Sequence, residues 1–444
     1  MSSAPEFAAL RKVRTRLVAF LGLLYFAAFV DRVNVSFAAV QMQRDLGFSA
    51  KVYGLGAGIF FLGYCLFEVP SNLILHRVGA RRWIGRIMIT WAVVAGAMAF
   101  IKTAAAFYGL RLLLGIAEAG FFPGVLYYLT YWVPARDRAR VIGTFMTAIP
   151  ISTALSGPLS STILRLDGAL GLAGWQWLFL SETLPSLILG FITLRYLPDR
   201  PAEASWLTSE ERTWLTGQLA AERAVAPTPA YTSVLATLSN PRVLALCACY
   251  CGADLGLYGV VFWIPQILFG AGIPAPVVGY AVAIPYAVAA LGMILWSRHS
   301  DRSRERTRHI ALASLVGFLG LAISAYVHAS ALLSIIAFTV GVSGTLAMLP
   351  IFWTLPAAIL RGAAAAGGIA LINAVGNIGS FAGPYAVGWI KQATGSFSWG
   401  LIVAAGGVLL SGLIAVLVGH DAAAEHGEIH ARGTAVHNAP PEAR

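Results

Sequence analysis

The sequence predicts an all-α membrane protein: twelve transmembrane helices in two pseudo-symmetric six-helix bundles. Three observations carry that prediction. Of the 444 residues, 58% are hydrophobic and only 11% charged, against roughly a quarter charged in an ordinary soluble protein. Apolar runs long enough to cross a hydrocarbon core, about 20 residues each, recur from one end of the chain to the other. The runs fall into two sets of six around a polar stretch, with a basic cluster after the second run of each set. These clusters are HRVGARRW at 76–83 and SDRSRERTR at 300–308, the layout of a duplicated unit.

Taken in order, residues 1–16 form an N-terminal segment with Arg11, Lys12, Arg14 and Arg16 ahead of the first run. A basic start before an apolar run resembles a secretory signal. This run is too long, lacks a small-residue cleavage site and contains Asp31 and Arg32, so it reads as the first span. The N-terminal bundle, 17–197, has spans at 17–39, 51–76, 82–101, 104–132, 139–166 and 175–197. Glycine and proline interrupt it at FFPGV (121–125) and IPISTALSGP (149–158), residues that membrane helices tolerate and use for close packing. A polar connector, 198–242, follows; Thr208 with Glu211 three residues on has the pattern of a capping box and predicts a short surface helix. The C-terminal bundle, 243–419, has spans at 243–268, 275–298, 308–328, 331–354, 363–391 and 398–419, with GGIALINAVGNIGSFAGP at 367–384. The tail, 420–444, is expected to be disordered.

The formal charge of +11 could suggest a nucleic-acid partner, but its distribution says otherwise. Of the 31 Lys and Arg, 24 fall on the side that holds both termini, five on the other, and Arg32 and Arg111 lie within spans. That bias places both termini in the cytoplasm and points to a lipid bilayer, not a polyanion. The four cysteines, Cys65, Cys247, Cys249 and Cys251, all lie in apolar runs and read as small fillers. A zinc site at the last three fails, because positions i and i+2 diverge on a helix and no histidine is near. No Walker or Rossmann glycine pattern argues for ATP or dinucleotide chemistry, and no H-E-x-x-H or G-x-S-x-G argues for a membrane enzyme. A channel would need a repeated pore ring, which the sequence lacks.

Few charged residues fall in the hydrocarbon zone away from the span ends: Asp31, Arg32, Glu68, Arg111, Glu118, Glu182 and Asp254. Each costs about 2.5–3.5 kcal/mol at mid-helix, so such groups are paired or functional. In GLRLLLGIAEAGFFPG (109–124), Arg111 and Glu118 share a face about 10 Å apart in height with Gly115 between them, which predicts a groove with a bare backbone floor. The rival reading is a static ion network, disfavoured because buried pairs stabilise poorly for their cost. Asp31 and Arg32 point about 100° apart and need different partners, Asp31 sharing its face with Asn34 and Arg32 with Ser36. Tyr64 and Glu68 lie one turn apart, as do Asn373 and Asn377, which could offer amides to a polar ligand or to a neighbouring helix. Glu68 lies nearer the charged-loop side and suits a gate. Asp254 is a weaker candidate for a cavity wall, and Glu182 lies toward an outer end. Phe29, Tyr64, Phe121, Tyr127 and Trp353 leave room for an aromatic ligand.

DRVNVSFA at 31–38, FEVPSNLIL at 67–75, RLLLGIAEAGFFPG at 111–124 and YLPDRPAEASWLT at 196–208 together resemble the anion:cation symporter family of the major facilitator superfamily. Its bacterial members include galactonate, glucarate, tartrate, phthalate and 4-hydroxyphenylacetate permeases. The resemblance covers nearly the whole chain, with four motifs in the family's order. It implies the major facilitator fold, a monomer in the inner membrane, and proton-coupled import of a small organic anion by alternating access, with no cofactor beyond the coupling proton. It implies that Arg32 binds a substrate carboxylate, with Tyr64 and Asn373 or Asn377 bonding its polar groups. Asp31 and Glu118 would carry protons, with Arg111 pairing with Glu118. Glu68, Arg77 and Asp301 would contribute to gating. The loop signature after the second span departs from the superfamily pattern, with His76 where an aspartate is usual. Proton-driven efflux is the rival within the superfamily; Arg32 and Arg111 suit an anion better than a cationic drug.

Overall fold

In a computed structural model, the structure describes residues 4–225, 240–303, 305–327, 329–359 and 363–437. Eleven helices among them are long and apolar enough to cross a membrane. The expected span at 363–391 falls within a further helix, Ala363–Thr394.

The chain begins with α1 (Ala4–Lys12), which continues through a π-helical stretch, Val13–Val18, into α2 (Ala19–Leu46). This helix is longer at both ends than the apolar run alone predicts. At its start Ala9, Val13 and Leu17 are fully buried, so an amphipathic stripe carries the helix beyond the hydrocarbon zone. At its end Gly47 adopts the left-handed conformation, φ 67°, that closes a helix. The rest of the first lobe is α3 (Ala50–Val78), α4 (Ala80–Ala97), α5 (Ala104–Glu118), α6 (Phe121–Leu129), α7 (Ala135–Met146), α8 (Ala148–Ile163) and α9 (Gly174–Tyr196).

The fourth expected span, 104–132, is broken between α5 and α6. Ala119 leaves the helix at ψ 134° and Gly120 turns left-handed at φ 83°, where a Cβ would also meet Ser71 Oγ at 2.3 Å. The break makes Glu118 the last residue of α5, a position that matters below.

In the connector, α10 (Ser209–Val225) starts from a closed capping box: Thr208 N–H donates to Glu211 Oε2 at 2.9 Å and Glu211 N–H to Thr208 Oγ1 at 3.3 Å. Lys12 Nζ donates to the same carboxylate at 2.7 Å and ties α1 to α10. Burial works against the charge on Glu211. The bonds from Lys12 and Thr208 outweigh it and hold the carboxyl below the usual carboxylate range.

The second lobe comprises α11 (Pro241–Val261), α12 (Ile264–Gly270), α13 (Ala275–Ser303), α14 (Arg306–Val327), α15 (Ala331–Phe352), α16 (Thr354–Ile359), α17 (Ala363–Thr394) and α18 (Ser398–His437). Of the tail at 420–444, residues 438–444 lie outside the described residues, and up to His437 only the backbone is described, as a continuation of α18.

The packing repeats between lobes. In the first, α2 packs on α8 and α9, α3 on α5, and α4 on α5 and α9; in the second, α11 packs on α17 and α18, α13 on α15, and α14 on α15 and α18. Each pairing recurs six spans later, which is the pseudo-symmetry of a duplicated unit. The lobes meet along two seams that the same symmetry exchanges, α3 against α17 and α8 against α13. In the second seam a Cβ on Gly157 would lie 2.2 Å from Gly279 O, and one on Gly279 would lie 1.9 Å from Gly157 O. Only glycine permits that approach. Large apolar side chains such as Leu66, Leu295 and Leu417 stay exposed on the outside, where a bilayer and not water is their solvent.

Candidate functional site

Between the lobes lies a cavity of about 80 Å³. Arg32, Tyr64 and Phe29 line it from the first lobe, Asp254, Tyr258, Asn373 and Asn377 from the second.

Arg32 is 7% exposed. Its Nη2 donates to Glu118 Oε1, while its guanidinium lies over Phe29 (4.8 Å), Phe60 (5.4 Å) and Tyr64 (5.6 Å). Arg32 Nε has no hydrogen-bond partner, so the cation has donor capacity left over. Glu118 closes α5 at its C-terminal end, where the helix's partial negative charge opposes a carboxylate. Arg32 offsets that opposition, and whatever draws Arg32 away exposes it.

The structure corrects the expected pairing of Arg111 with Glu118. Arg111, 1% exposed, donates instead from Nε to Gly56 O and from Nη2 to Ala57 O, each at 3.0 Å. The reason is a close approach of α3 to α5: Phe107 packs where a Gly56 Cβ would be, and the nearest acceptors for the guanidinium are backbone carbonyls of α3. Glu118 remains within electrostatic reach of Arg111. The expected groove beside Gly115 is absent for the same reason. A Cβ there would sit 1.9 Å from Phe60 O, so α3 covers the floor.

Asp31 and Arg32 diverge. Asp31 turns into the lobe, where Trp91 Nε1 donates to its Oδ2 at 3.0 Å and Ser186 Oγ at 2.5 Å, leaving Oδ1 without a partner. Behind it Glu182, 4% exposed, accepts from Ser160 Oγ at 2.8 Å.

Glu68 joins the lobes. Asn373 Nδ2 donates to Glu68 Oε1 at 2.7 Å and Asn377 Nδ2 to Oε2 at 3.4 Å. The two amides therefore line the cavity while engaged by an acid of the opposite lobe. Arg77 is exposed in the last turn of α3, about 14 Å beyond Glu68 along the helix axis. Asp301 is exposed and accepts from Arg306 Nη1 at 2.5 Å. Neither reaches the cavity. Of the aromatic candidates, Phe29, Tyr64 and Trp353 line it. Phe121 is instead core, edge-on to Trp91 with centroids 5.2 Å apart, and Tyr127 packs on Tyr131 at 5.1 Å.

Asp254, a weaker candidate in the sequence, lines the cavity with two tyrosines that the sequence did not single out. Tyr250, Asp254 and Tyr258 recur every fourth residue along α11 and face the cavity opposite Arg32. Ser380 Oγ donates to Asp254 Oδ2 at 3.0 Å, fixing the acid from α17. The signal was available as i, i+4, i+8 spacing, but tyrosines in an apolar helix also serve as core.

Residues 21–384 match the family model of the Major Facilitator Superfamily. A "Putative tartrate transporter" of Agrobacterium vitis is 52% identical over 379 residues, 85% of this chain and 84% of that one. A "Quinolone resistance transporter" of Acinetobacter baumannii is 41% identical, over 85% of this chain and 87% of that one. Among solved structures, a bacterial homologue of the human lysosomal transporter Spinster superposes with a TM-score of 0.74 over 91% of this chain and 96% of that one, at 17% identity. That likeness bears on the fold alone.

Proposed function

Because the chain belongs to the Major Facilitator Superfamily, as a multi-pass membrane transporter and not an enzyme, we propose that it imports a small organic anion together with protons. The substrate class is a hydroxy-dicarboxylate or sugar acid, with tartrate the first candidate from the relative at 52% identity. The compartment is a bacterial inner membrane with both termini cytoplasmic, as the positive-inside bias suggests. One chain is the transporting unit, and the proton is its sole coupling ion.

The observation that supports this most is the Arg32–Glu118 pair, whose arginine lines the cavity. A substrate carboxylate that takes Arg32 strands Glu118 at the wrong end of a helix dipole, where its neutral form is preferred. Substrate and proton therefore favour each other's binding, a reciprocal coupling. Tyr64 bonds the substrate's polar groups, and Asn373 and Asn377 do so on leaving Glu68, which couples ligand binding to the α3–α17 seam. Asp31 carries a further proton. Importing a dianion alone against an inside-negative potential of 100 mV costs about 4.6 kcal/mol, at about 2.3 per charge; two protons cancel that cost.

The test is uptake of labelled tartrate into proteoliposomes under an imposed inward proton gradient. Accumulation above the outside concentration, collapsed by a protonophore, is expected. Uptake that ignores the gradient would remove proton coupling. A second reading, outward transport of an aromatic amphiphile, draws support from the relative named for quinolone resistance and from the ring-rich wall of Phe29, Tyr250, Tyr258 and Trp353. Gradient-driven extrusion of a quinolone by the same vesicles, without tartrate uptake, would favour it. Uptake of phthalate but not tartrate would favour an aromatic acid.

A further inference from the structure

We infer that Asp31 and Glu182 form a second proton-binding site, enclosed within the first lobe and separate from the Arg32–Glu118 pair. The inference rests on the proton-coupled reading above and adds to it a residue, a location and an access side.

The two carboxyls lie between α2, α4, α8 and α9. Asp31 is 3% exposed and Glu182 4%, and they interact electrostatically with each other. Their hydrogen-bond partners are all neutral: Trp91 and Ser186 for Asp31, Ser160 for Glu182. Each acid keeps one oxygen without a partner, Asp31 Oδ1 and Glu182 Oε2. The Asn34 amide, 1% exposed, approaches Glu182 without hydrogen-bond geometry, and its Nδ2 is also unpartnered. Three orphaned polar atoms thus belong to neighbouring side chains of one buried region between α2 and α9. Two buried carboxylates with no cation bonded to them among the described residues are not jointly tenable as anions. A proton on one of them removes a charge and supplies the donor that an orphan oxygen lacks.

The proton fits better than a metal cation. The groups around the acids include an indole N–H and an amide NH₂, which present positive hydrogen to the site, and the oxygens present are fewer than the six or so a hard cation gathers. Of the other charges on the packed helices, Glu118 on α5 is the one that bears on Asp31. Arg32 on α2 is directed to Glu118, while Arg44 and Asp45 on α2, Arg81, Arg82 and Arg86 on α4 and Arg195 on α9 lie more than a turn along their helices from the residues that touch the pair, and α8 carries no charge.

Position gives the site a direction. Glu182 lies about 12 Å along α9 from Gly174, the end of that helix on the face opposite the termini, and Ser186 is one turn deeper beside Asp31. A proton from the opposite face adds to the Glu182 carboxylate, making one O–H bond. Its transfer to Asp31 breaks that bond and makes another, with one proton moved and nothing else changed. Asp31 turns away from its chain neighbour Arg32 and shares its field with Glu118, so neutralising it removes a like charge from the neighbourhood of the Arg32–Glu118 pair. Proton loading then need not pass through the substrate cavity.

The experiment uses the full chain in lipid. Infrared difference spectra between acid and alkaline buffer, with no substrate present, should lose a titrating carboxyl band in Glu182→Gln and show another displaced in pH. In transport, Glu182→Gln should exchange tartrate across the membrane within about twofold of wild type, yet lose gradient-driven uptake by about tenfold or more. Glu182→Asp should restore that uptake in part. A carboxyl titration unchanged by Glu182→Gln, or a wild-type pH profile of uptake in that variant, would overturn the inference. Should Glu182→Gln fail to fold, the spectra of Glu182→Asp decide, an unaltered titration again counting against it. Absence of gradient-driven tartrate uptake by wild type would sink the transport reading instead, while the spectra still judge the pair.

Discussion

Replacing Arg32 with alanine, alone and together with Glu118→Gln, probes the pair on which the proposed coupling turns. Arg32 and Glu118 are 7% and 3% exposed and bonded to each other. Arg32→Ala deletes the cation and leaves a buried carboxylate without its partner, a loss of about 3–5 kcal/mol in comparable sites. The double variant removes the stranded charge as well, so it should recover roughly 2 kcal/mol or more of that loss. The gap between single and double variants should narrow as pH falls and Glu118 takes a proton unaided. For binding, losing a desolvated charge partner of the ligand costs about 2–5 kcal/mol, so the Kd for tartrate should rise by roughly 30-fold to several thousandfold. Unfolding midpoints in detergent across the four-protein cycle, with calorimetric titration of ligand, measure both effects. Stability changes that add to within about 0.5 kcal/mol, or tartrate binding by Arg32→Ala within threefold of wild type, would refute the idea that this pair is the shared switch.

Three further outcomes follow from the same geometry. Glu118→Gln should keep substrate exchange while losing proton-driven accumulation, measured as counterflow against gradient-driven uptake; normal accumulation would remove Glu118 from coupling. Arg111→Ala should destabilise the protein by about 3 kcal/mol or more, since two charge-assisted bonds to Gly56 O and Ala57 O disappear, with the ligand Kd of the folded fraction changed less than about threefold. A large affinity loss there, without loss of stability, would return Arg111 to the binding site. Outside the membrane, the depressed carboxyl of Glu211 contributes stability that is fully present above the ordinary glutamate value of about 4.3 and is lost as pH falls through its lower folded value. Amide exchange in Ala4–Lys12 and Ser209–Val225 should therefore quicken in acid below that range, and Lys12→Ala should quicken it at neutral pH. Equal exchange rates in Lys12→Ala and wild type would show that the contact holds nothing.

The lobes were legible because hydropathy and loop charge report on the bilayer, which acts on every span alike. The divergence of Asp31 from Arg32 was legible too, since it follows from 100° per residue on a single helix. What failed was any inference that assumed a helix face stays free. Arg111 and Glu118 do share a phase on α5, but the phase is silent about α3, whose Gly56 and Ala57 carbonyls take the guanidinium, and about Phe60, whose carbonyl covers Gly115. The break at Ala119–Gly120 was hidden because membrane helices tolerate glycine without stopping. The bond from Asn373 to Glu68 joins residues 305 apart in the chain, a separation at which no periodicity carries information. Glu182 was placed toward an outer end by its position along the span; its burial beside Ser160, Asn34 and Asp31 depends on two other helices, α8 and α2, being in place.

The Gly157–Gly279 contact sets how easily the two halves can part. Interlocked side chains must climb past one another when a joint opens, and each rotamer change adds to the barrier. At Gly157 and Gly279 bare backbones lie against each other, so parting there forces no rotamer change, and what must break is the bonding beside them, Gly279 N–H to Ser161 Oγ and the hydroxyls of Thr162 and Tyr280. The same smoothness makes it fragile to a single methyl group, which would act as a doorstop and trap the molecule with that joint ajar.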